Sequence, residues 1–384
     1  MTGEPPVWEG FRDAELARRL VNRIRDRVAR ELGGPVTLME VCGTHTVAIS
    51  RTGIRSALRG AVTLVSGPGC PVCVTSQGDV DAMVELASRG LTVYTFGDMM
   101  RVPGTTDSLE TVRARGGRVR LAYSAADAVA HAASHPGEQV VFLAVGFETT
   151  APGVALALRQ ARDLGLDNFT VYPAHKLIPP ALRALLDREE VRVAGFLLPG
   201  HVSTVIGRQA LSFLARDYGL PAAIAGFEPV DILMAVDRLT EMMTRGEAAV
   251  ANMYPRAVRE EGNPLALQAM WSCFEPCDAS WRGLGLIPAS GLELRDSWQD
   301  FDARCRHGVS TFEAPVRPGC RCGDVLRGKI LPPACPLFAR ACTPARPQGP
   351  CMVSSEGACA AYFRYERGDG GDCRREGSGA AGPR

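Results

Sequence analysis

The segment VTLMEVCGTHTVAISRTGIRSALRGAVTLVSGPGCPVC, residues 36–73, sets the pattern that decides the fold. It contains two short β-branched and apolar runs, VTLMEV (36–41) and AVTLVS (61–66), and each is followed at once by a loop with glycine and cysteine. Similar runs recur at LTVYTF (91–96), VVFLAV (140–145) and GFLLPG (195–200). Continuous apolar runs of this length are typical of strands that are buried on both faces of a parallel sheet.

Amphipathic segments lie between these predicted strands. Their apolar residues recur at three- and four-residue spacing, which predicts helices. The clearest are residues 14–32, 78–89, 150–164 and 229–245. Strands that alternate with helices favour parallel sheets covered on both faces, an α/β fold. We expect two such α/β domains, residues 1–135 and 136–260, and a C-terminal cysteine-rich domain, residues 261–384, with a disordered tail from residue 367.

The composition narrows the class of protein. The 384 residues include 43 basic and 42 acidic side chains, so the net charge is +1 and no global field attracts nucleic acid or anionic lipid. No run reaches the roughly 18 apolar residues of a membrane helix. The first 20 residues contain acidic side chains and prolines, where a signal peptide would be basic and then apolar. We therefore expect a cytoplasmic protein without a nucleic-acid or membrane partner.

Cysteines are numerous, thirteen in all, and in a cytoplasmic chain repeated cysteines usually serve metal or redox chemistry. Seven lie in the last 65 residues: Cys320, Cys322, Cys335, Cys342, Cys351, Cys359 and Cys373. Four thiolates suit either a [4Fe–4S] cluster or structural zinc. The spacing differs from a zinc ribbon, and six cysteines in the block 320–359 leave a pair for a thiol–disulfide step. A metal would also organise a segment with few apolar runs.

A second group of cysteines follows the first two predicted strands. Cys70 and Cys73 form a C-x-x-C turn, which brings two sulfurs close enough to bind one metal or to form a disulfide. Cys42 follows the preceding strand, and neighbouring parallel strands would bring it close to that pair. With His45 nearby, three thiolates suit Fe(II) or zinc, and a closed zinc site is the alternative. Gly43 and the glycines before Cys70 leave room for more than a bare ion.

Polar residues also follow three other predicted strands, in FGDMMR, GFETT and PGHVS. Glu148 and His201 come directly after very apolar runs, so each is a candidate for site chemistry, with a helix cap or a satisfied buried group as the alternative. For Asp98 and Arg101 the alternative is a simple ion pair. Because ligands of parallel α/β sheets bind at the carboxyl ends of strands, we expect these loops to form one functional face.

Together these motifs resemble the HypD family of hydrogenase maturation proteins, and the resemblance covers nearly the whole chain. It rests on CGTHT (42–46), GPGCPVC (67–73), GFETTAP (146–152), PGHVSTVIG (199–207), GFEPVDIL (226–233) and the cysteine-rich block from Cys320 to Tyr362. Each motif is short. Their order, together with the C-terminal block, makes the match specific.

The resemblance implies two α/β domains and a third domain that carries a [4Fe–4S] cluster. It implies that this chain and a small HypC-type chaperone hold Fe(II) while the iron receives two cyanides and one carbon monoxide, with cyanide supplied as a thiocyanate by a HypE-type partner. Carried over by motif, Cys42, Cys70 and Cys73 are the iron-site and thiol-redox cysteines. The expected cluster ligands are Cys335, Cys342, Cys351 and Cys359. The expected redox pair nearby is Cys320 with Cys322.

Two other functions fit the same residues. An iron–sulfur-dependent thiol–disulfide reductase acting on a protein partner would use Cys70 and Cys73 as its cycling pair, and it would need no iron at the N-terminal site. A structural metalloprotein would hold zinc at both cysteine groups. Of the three functions, the sequence favours an assembly scaffold for a metal centre with thiol-redox activity.

Overall fold

The apolar runs of the sequence form strands in the computed structural model, which describes residues 9–188, 192–312 and 318–366. All five predicted strands are present, and in the numbering given next they are β1, β2, β3, β5 and β7. The strands are β1 (Val36–Glu40), β2 (Val62–Ser66), β3 (Thr92–Thr95), β4 (Val119–Leu121), β5 (Val140–Ala144), β6 (Phe169–Pro173), β7 (Gly195–Pro199), β8 (Ala222–Ala225), β9 (Val250–Asn252), β10 (Phe274–Trp281) and β11 (Gly285–Leu294). The predicted disordered tail and Cys373 lie outside the described residues.

The four predicted helices are also present, each within one residue of its predicted bounds. The helices are α1 (Ala14–Glu31), α2 (Gly43–Arg51), α3 (Ile54–Ala57), α4 (Pro71–Val74), α5 (Gln77–Ser88), α6 (Leu109–Ala114), α7 (Ala125–Ser134), α8 (Ala151–Asp163), α9 (Ile178–Asp187), α10 (Gly200–Ile206), α11 (Phe213–Tyr218), α12 (Pro229–Thr244), α13 (Pro264–Cys273), α14 (Ala303–His307), α15 (Cys322–Leu326), α16 (Pro350–Val353) and α17 (Ala358–Tyr365). In α1, the N-cap Asp13 accepts hydrogen bonds from two backbone N–H groups of the first turn, and Leu20, Ile24 and Val28 form one buried stripe.

The first sheet contains five parallel strands in the order β2-β1-β7-β8-β9. Every residue of the central strand β7 is buried, as expected for a strand that is covered on both faces. On one face, Ile24 of α1 and Val236 of α12 share an apolar core with Leu38 and Leu64 of the two neighbouring strands β1 and β2.

The second sheet contains four parallel strands in the order β4-β3-β5-β6. Its strand β5, VVFLA, is buried throughout. Phe142 of β5 shares an apolar core with Val129 of α7, Leu158 of α8 and Phe169 of β6. The α/β class with parallel sheets, predicted from the sequence, is therefore confirmed.

The strand pairing does not follow the predicted domain boundary at residue 136. Strands β5 and β6 follow that residue, yet β5 pairs with β3 from before it. Strand β7 then returns to pair with β1, so the second sheet is inserted between β2 and β7 in the sequence. Local periodicity identifies a buried strand but does not select its neighbour, because any such strand can add to either sheet.

The predicted third domain, residues 261–384, does not begin as a separate layer. Helix α13 packs on α8, and the antiparallel hairpin β10–β11 packs on α9 and reaches β6; Met270, Phe274 and Leu292 join the same apolar core as Phe142. Their burial in that core removes these apolar side chains from water. The hairpin was not predicted from the sequence.

The cysteine-rich segment that follows, residues 318–366, consists of turns and the short helices α15, α16 and α17. Its Cys351 and Cys359 share an apolar core with Val41 and Val65 at the carboxyl ends of β1 and β2. This segment therefore packs against the strand ends that carry the N-terminal cysteines. Within the described ranges, no helix combines the length and the apolar character needed to cross a membrane.

Candidate functional site

The carboxyl ends of β1 and β2 lie side by side, since the two strands pair in register up to Glu40 and Ser66. The backbone N–H of Gly43 donates to the carbonyl oxygen of Gly69 at 2.9 Å. A Cβ atom at Gly69 would lie only 2.2 Å from the backbone nitrogen of Cys42, so glycine is needed for this approach. The expectation that parallel pairing brings Cys42 close to the C-x-x-C turn is confirmed.

Cys70 and Cys73 form a disulfide. Cys70 is the N-cap of the short helix α4, and its Sγ accepts a hydrogen bond from the backbone N–H of Cys73 at 3.1 Å. Of the two outcomes predicted for this turn, shared metal or disulfide, the structure contains the disulfide. In this oxidised form the two sulfurs are not available as thiolate ligands.

Cys42 is a free thiol, 7% exposed, at the N-terminus of α2. Burial raises the pKa of this thiol to about 12, and the negative charges of Glu356 and Glu40 add to the effect. Hydrogen bonds from the backbone N–H groups of His45 and Thr44 act in the opposite direction, because they favour the thiolate. Cys42 is therefore protonated at neutral pH unless a cation is bound to it.

Glu40, the last residue of β1, is buried beside Cys42. Its carboxylate accepts hydrogen bonds from the backbone N–H of Cys42 at 3.2 Å and from Oγ1 of Thr46 at 2.5 Å. Burial nevertheless raises the pKa of Glu40 to about 7. Sequence reasoning missed this residue. The available signal was a glutamate inside an apolar strand, immediately before a cysteine motif.

Two histidines flank Phe227 at the neighbouring strand ends. The ring of His201, in the first turn of α10 after β7, stacks on Phe227 with a centroid distance of 3.9 Å, and the ring centroid of His45 lies 5.0 Å from that of Phe227. His45 Nε2 is 2.9 Å from the carbonyl oxygen of Gly226. Burial lowers the pKa of His45 to about 4, so the ring is neutral and Nε2 donates. His45 thus fixes the loop before α12, and His201 remains exposed.

Glu356 joins the C-terminal segment to this site, and sequence reasoning missed it too. Its Oε1 accepts a hydrogen bond from Oγ1 of Thr44 at 2.6 Å, and a Cβ atom at Gly43 would lie 2.5 Å from its own Cβ. Burial is the main cause that raises the pKa of Cys42, and the charge of Glu356 adds to it; burial lowers the pKa of His201, and the same charge partly opposes that shift. The acidic residue in SSEGAC, inside the cysteine block, was the available signal.

Glu148 lies at the second sheet, after β5, and is 1% exposed. Its Oε1 accepts a hydrogen bond from the backbone N–H of Ile178, the first residue of α9, at 2.9 Å. Burial raises the pKa of Glu148 to about 7. The structure thus gives Glu148 the helix-cap role that was the alternative to site chemistry, and its Oε2 has no hydrogen-bond partner among the described residues.

Asp98 and Arg101 do not pair with each other as the alternative interpretation proposed. Asp98 Oδ2 accepts hydrogen bonds from Oγ of Ser354 at 2.8 Å and from the backbone N–H of Ser355 at 2.9 Å. Arg101 instead donates to the carbonyl oxygen of Pro344 at 2.7 Å. Both residues after β3 therefore hold the C-terminal segment against the second sheet.

A cavity of about 320 Å³ separates the loops of the two sheets. Pro71 and Val72 of the disulfide turn line one side, Gly146 and Thr150 of the second sheet line another, and Glu356 closes it from the C-terminal segment. The predicted single face is thus formed by two sheet edges and a third segment. Cys42, Cys70, Cys73 and His201 follow strands of the first sheet, whereas Glu148 follows a strand of the second.

The C-terminal cysteines between residues 320 and 359 come together. The Sγ atoms of Cys320 and Cys322 are 3.2 Å apart. Hydrogen bonds from the thiols of Cys320, Cys351 and Cys359 hold the pKa of Cys322 well below its ordinary value. Cys322, which sequence reasoning assigned to a spare pair, therefore contacts three other cysteines of the group, Cys320, Cys351 and Cys359.

Cys335 and Cys342 complete the group. Cys342 Sγ accepts a hydrogen bond from the backbone N–H of Gln348 at 3.3 Å, and the charges of Cys322 and Cys335 raise its pKa, although burial is the larger cause. Because Gly349 has no side chain, the sulfurs can lie close to its backbone; a Cβ atom there would lie only 2.7 Å from Sγ of Cys322.

The donor set of this group fits a [4Fe–4S] cluster, which needs four soft thiolates. Among the residues that the structure describes, no three His, Cys, Asp or Glu side chains surround a position for a single metal ion. The two observations are compatible, because Cys320 and Cys322 are in direct contact and leave no space for an ion between them. The chemistry of the donors therefore fits the cluster.

Comparison with known proteins gives one consistent family. The HypD family, described as a hydrogenase formation hypA family, matches residues 15–366. The hydrogenase maturation factor HypD of Rhodobacter capsulatus is 44% identical over 364 residues, which is 92% of this chain and 97% of that protein.

Two further relatives give the same result. The hydrogenase maturation factor HypD of Escherichia coli K12 is 42% identical, over 93% of this chain and 97% of that protein. A putative hydrogenase expression/formation protein of Methanocaldococcus jannaschii is 39% identical, over 92% of this chain and 98% of that protein. The similarity therefore extends over the full length of bacterial and archaeal relatives.

Proposed function

The chain belongs to the HypD family of hydrogenase maturation factors, and from that premise we propose that it is the scaffold on which the iron–dicyanide–carbonyl group of a [NiFe]-hydrogenase is assembled. The observation that carries the proposal is the position of Cys42. This buried free thiol lies at paired strand ends beside the Cys70–Cys73 disulfide, and the C-terminal cysteine group packs against the same edge.

Iron is the substrate of this reaction, and Cys42 is its proposed protein ligand. Backbone N–H groups at the start of α2 already favour the thiolate of Cys42, and a bound Fe(II) would supply the remaining stabilisation that burial removes. Cyanide and carbon monoxide are strong-field ligands, and a thiolate can hold low-spin Fe(II) while leaving positions open for them. The nearby cavity of about 320 Å³ is large enough for such small molecules.

The Cys70–Cys73 pair is the proposed source of electrons for cyanide release. Cleaving a thiocyanate takes two electrons and one proton and yields a thiol and cyanide. A reduced Cys70–Cys73 dithiol supplies two electrons and two protons as it closes to the disulfide, so one proton is released to solvent. The disulfide form described by the structure is the product of this step.

A [4Fe–4S] cluster in the C-terminal cysteine group is the proposed resident cofactor, and it would supply one-electron chemistry. Four of the six cysteines would hold it, and the contacts of Cys322 with Cys320, Cys351 and Cys359 favour including Cys322 among the ligands. The chain's own role here is to pack these thiols against the N-terminal site. Assembly in this form requires reduced thiols, which supports a cytoplasmic location.

Infrared spectroscopy tests the proposed function. Protein purified anaerobically with its HypC-type chaperone should show bands of bound cyanide and carbon monoxide. Cys42→Ser should abolish them, because a hydroxyl is scarcely ionised at neutral pH and binds Fe(II) poorly. Cys273→Ser is the matched control, since Cys273 is an equally buried free thiol in the core of the second sheet, and it should retain both bands.

The main rival is the thiol–disulfide reductase, which the Cys70–Cys73 disulfide also fits. A reductase needs no iron at Cys42. Wild-type complex that lacks both infrared bands but reduces a partner disulfide would favour the reductase over the scaffold.

A further inference from the structure

Arg282 lies in the turn between β10 and β11 and contacts the residues that follow the disulfide. Its backbone N–H donates to the carbonyl oxygen of Val74 at 2.8 Å. Its side-chain Nε donates to the carbonyl oxygen of Thr75 at 2.9 Å, and Nη1 donates to Oε1 of Gln77 at 2.8 Å. Three hydrogen bonds from one residue therefore hold the chain immediately after Cys73.

The same turn contacts the C-terminal cysteine group from its other side. A Cβ atom at Gly283 would lie 2.3 Å from Cα of Gly323, so the two backbones touch directly after Arg282 and directly after Cys322. The turn thus forms a physical bridge between the two cysteine groups. Neither Arg282 nor the turn was among the predicted site residues.

The guanidinium of Arg282 is a deeply buried cation, with the residue only 5% exposed. The two acceptors that its side chain bonds, the carbonyl oxygen of Thr75 and Oε1 of Gln77, are neutral, and its Nη2 has no hydrogen-bond partner among the described residues. Burial lowers the pKa of Arg282, whereas the charges of Cys322, Cys351 and Cys320, and of Asp81, whose carboxylate bonds Gln77 rather than Arg282, raise it. Arginine keeps its charge in proteins, and burying a cation without a carboxylate partner is costly. Such a residue calls for a function that uses the charge.

We propose that Arg282 is a positioning residue that fixes the Cys70–Cys73 turn against the C-terminal cysteine group and provides the positive charge that favours electron uptake at both. This inference deepens the proposed function and rests on it for the redox role of the two groups. Reduction adds negative charge to a cluster and opens a disulfide to thiols that can ionise, so a nearby buried cation stabilises the reduced form in each case.

Two substitutions test the positive charge of Arg282, one by removing it and one by offsetting it. Arg282→Gln deletes the cation. Gln77→Glu places a carboxylate at the 2.8 Å contact and gives up the hydrogen bond from Gln77 Nε2 to Oδ1 of Asp81. It offsets the charge of Arg282 in a second variant in which Arg282 itself stays in place. Arg282→Lys keeps the charge. Arg188→Gln is the matched control, because Arg188 is exposed and bonds the carbonyl oxygen of Leu284 in the same turn.

The measurement is a redox titration of each full-length protein. Thiol labelling in dithiol–disulfide buffers gives the Cys70–Cys73 equilibrium, and an optical titration with mediators gives the midpoint of the C-terminal cluster. We expect Arg282→Gln and Gln77→Glu to shift the dithiol equilibrium at least tenfold toward the disulfide, about 30 mV more negative, and to lower the cluster midpoint. Arg282→Lys and Arg188→Gln should remain within threefold of wild type.

Unchanged potentials in both Arg282→Gln and Gln77→Glu would overturn the inference and leave Arg282 a purely structural residue. A shift in Arg282→Gln without one in Gln77→Glu would overturn the charge role, because only packing would then explain it. Wild-type protein without a cluster signal would count against the proposed cofactor alone, since the Cys70–Cys73 titration still tests Arg282.

Discussion

At the scale of single residues, burial shifts the ionisable groups of the strand ends toward their uncharged forms. It raises the pKa values of Glu40 and Glu148 to about 7 and that of Cys42 to about 12, and it lowers the pKa of His45 to about 4. Each shift favours the uncharged form, because transfer from water disfavours charge. A cation bound at Cys42 would therefore have to offset the burial that disfavours the thiolate.

Glu148 gives a measurable consequence of this burial. Its folded pKa of about 7 exceeds the ordinary 4.5, so its contribution to stability is fully present below about pH 4.5 and is lost as the pH rises through about 7. Relative to Glu148→Gln, wild type should lose about 3 kcal/mol of unfolding free energy across this window. Denaturant unfolding of both proteins at several pH values measures the difference. A constant difference across the window would mean that Glu148 is ionised in the folded protein.

At the scale of elements, the register of β1 and β2 makes the turn before Cys70 a close backbone approach. Gly69→Ala would place a Cβ 2.2 Å from the backbone of Val41 and of Cys42, and backbone atoms cannot move aside as a flexible side chain can. We expect a loss of about 3 kcal/mol or more in thermal or denaturant unfolding. Gly137→Ala is the control, since a Cβ there meets nothing within 4 Å, and equal stability of the two variants would refute this view of the turn.

The short helices of the cysteine-rich segment give a second prediction at this scale. Cys322→Ala removes the thiol that contacts three others, so it should abolish the brown colour of the proposed cluster and weaken the packing of residues 318–366. Absorption spectra and limited proteolysis measure the two effects. Cys305→Ala, which removes an exposed cysteine, should keep the colour. Full colour in Cys322→Ala would restore the sequence-based assignment of Cys322 to a spare redox pair.

The C-terminal segment is also held at one end by ordinary contacts. The guanidinium of Arg55 donates to Glu366 at 3.1 Å and lies 4.6 Å from the ring centroid of Tyr362. Arg55 belongs to α3, and helix α17 itself packs on the preceding helix α2, which begins one residue after Cys42. The packing of α17 and the position of Glu356 beside Thr44 are parts of one interface.

At the scale of the whole molecule, the first sheet presents His201 to solvent on the face that carries Cys42. We expect a HypC-type chaperone to dock there, with the stacked His201–Phe227 rings as an anchor. His201→Ala should weaken chaperone binding at least tenfold, as measured by calorimetry, while the thermal unfolding midpoint stays close to wild type. Tyr123→Ala, at a fully exposed tyrosine after β4, should bind normally. Normal binding by His201→Ala would exclude His201 from the interface.

The sequence by itself determined the class of fold and the cysteines of interest. Apolar runs and helical spacing predicted five strands and four helices correctly, because burial periodicity is a local property of the chain. Cys42 and the C-x-x-C turn were found for the same reason, since each follows a strand and parallel pairing places such loops at one edge. The order of the motifs also sufficed to indicate the family.

Only the tertiary structure decided which strands share a sheet and which distant residues complete the site. β7 pairs with β1 rather than with β6, Glu356 reaches Thr44 across 312 positions, and Arg282 bridges two cysteine groups from a hairpin that was not predicted. None of these contacts leaves a periodic trace in the sequence. They depend on which apolar faces bury each other, and that choice is settled by the packing of the whole chain rather than by any one segment.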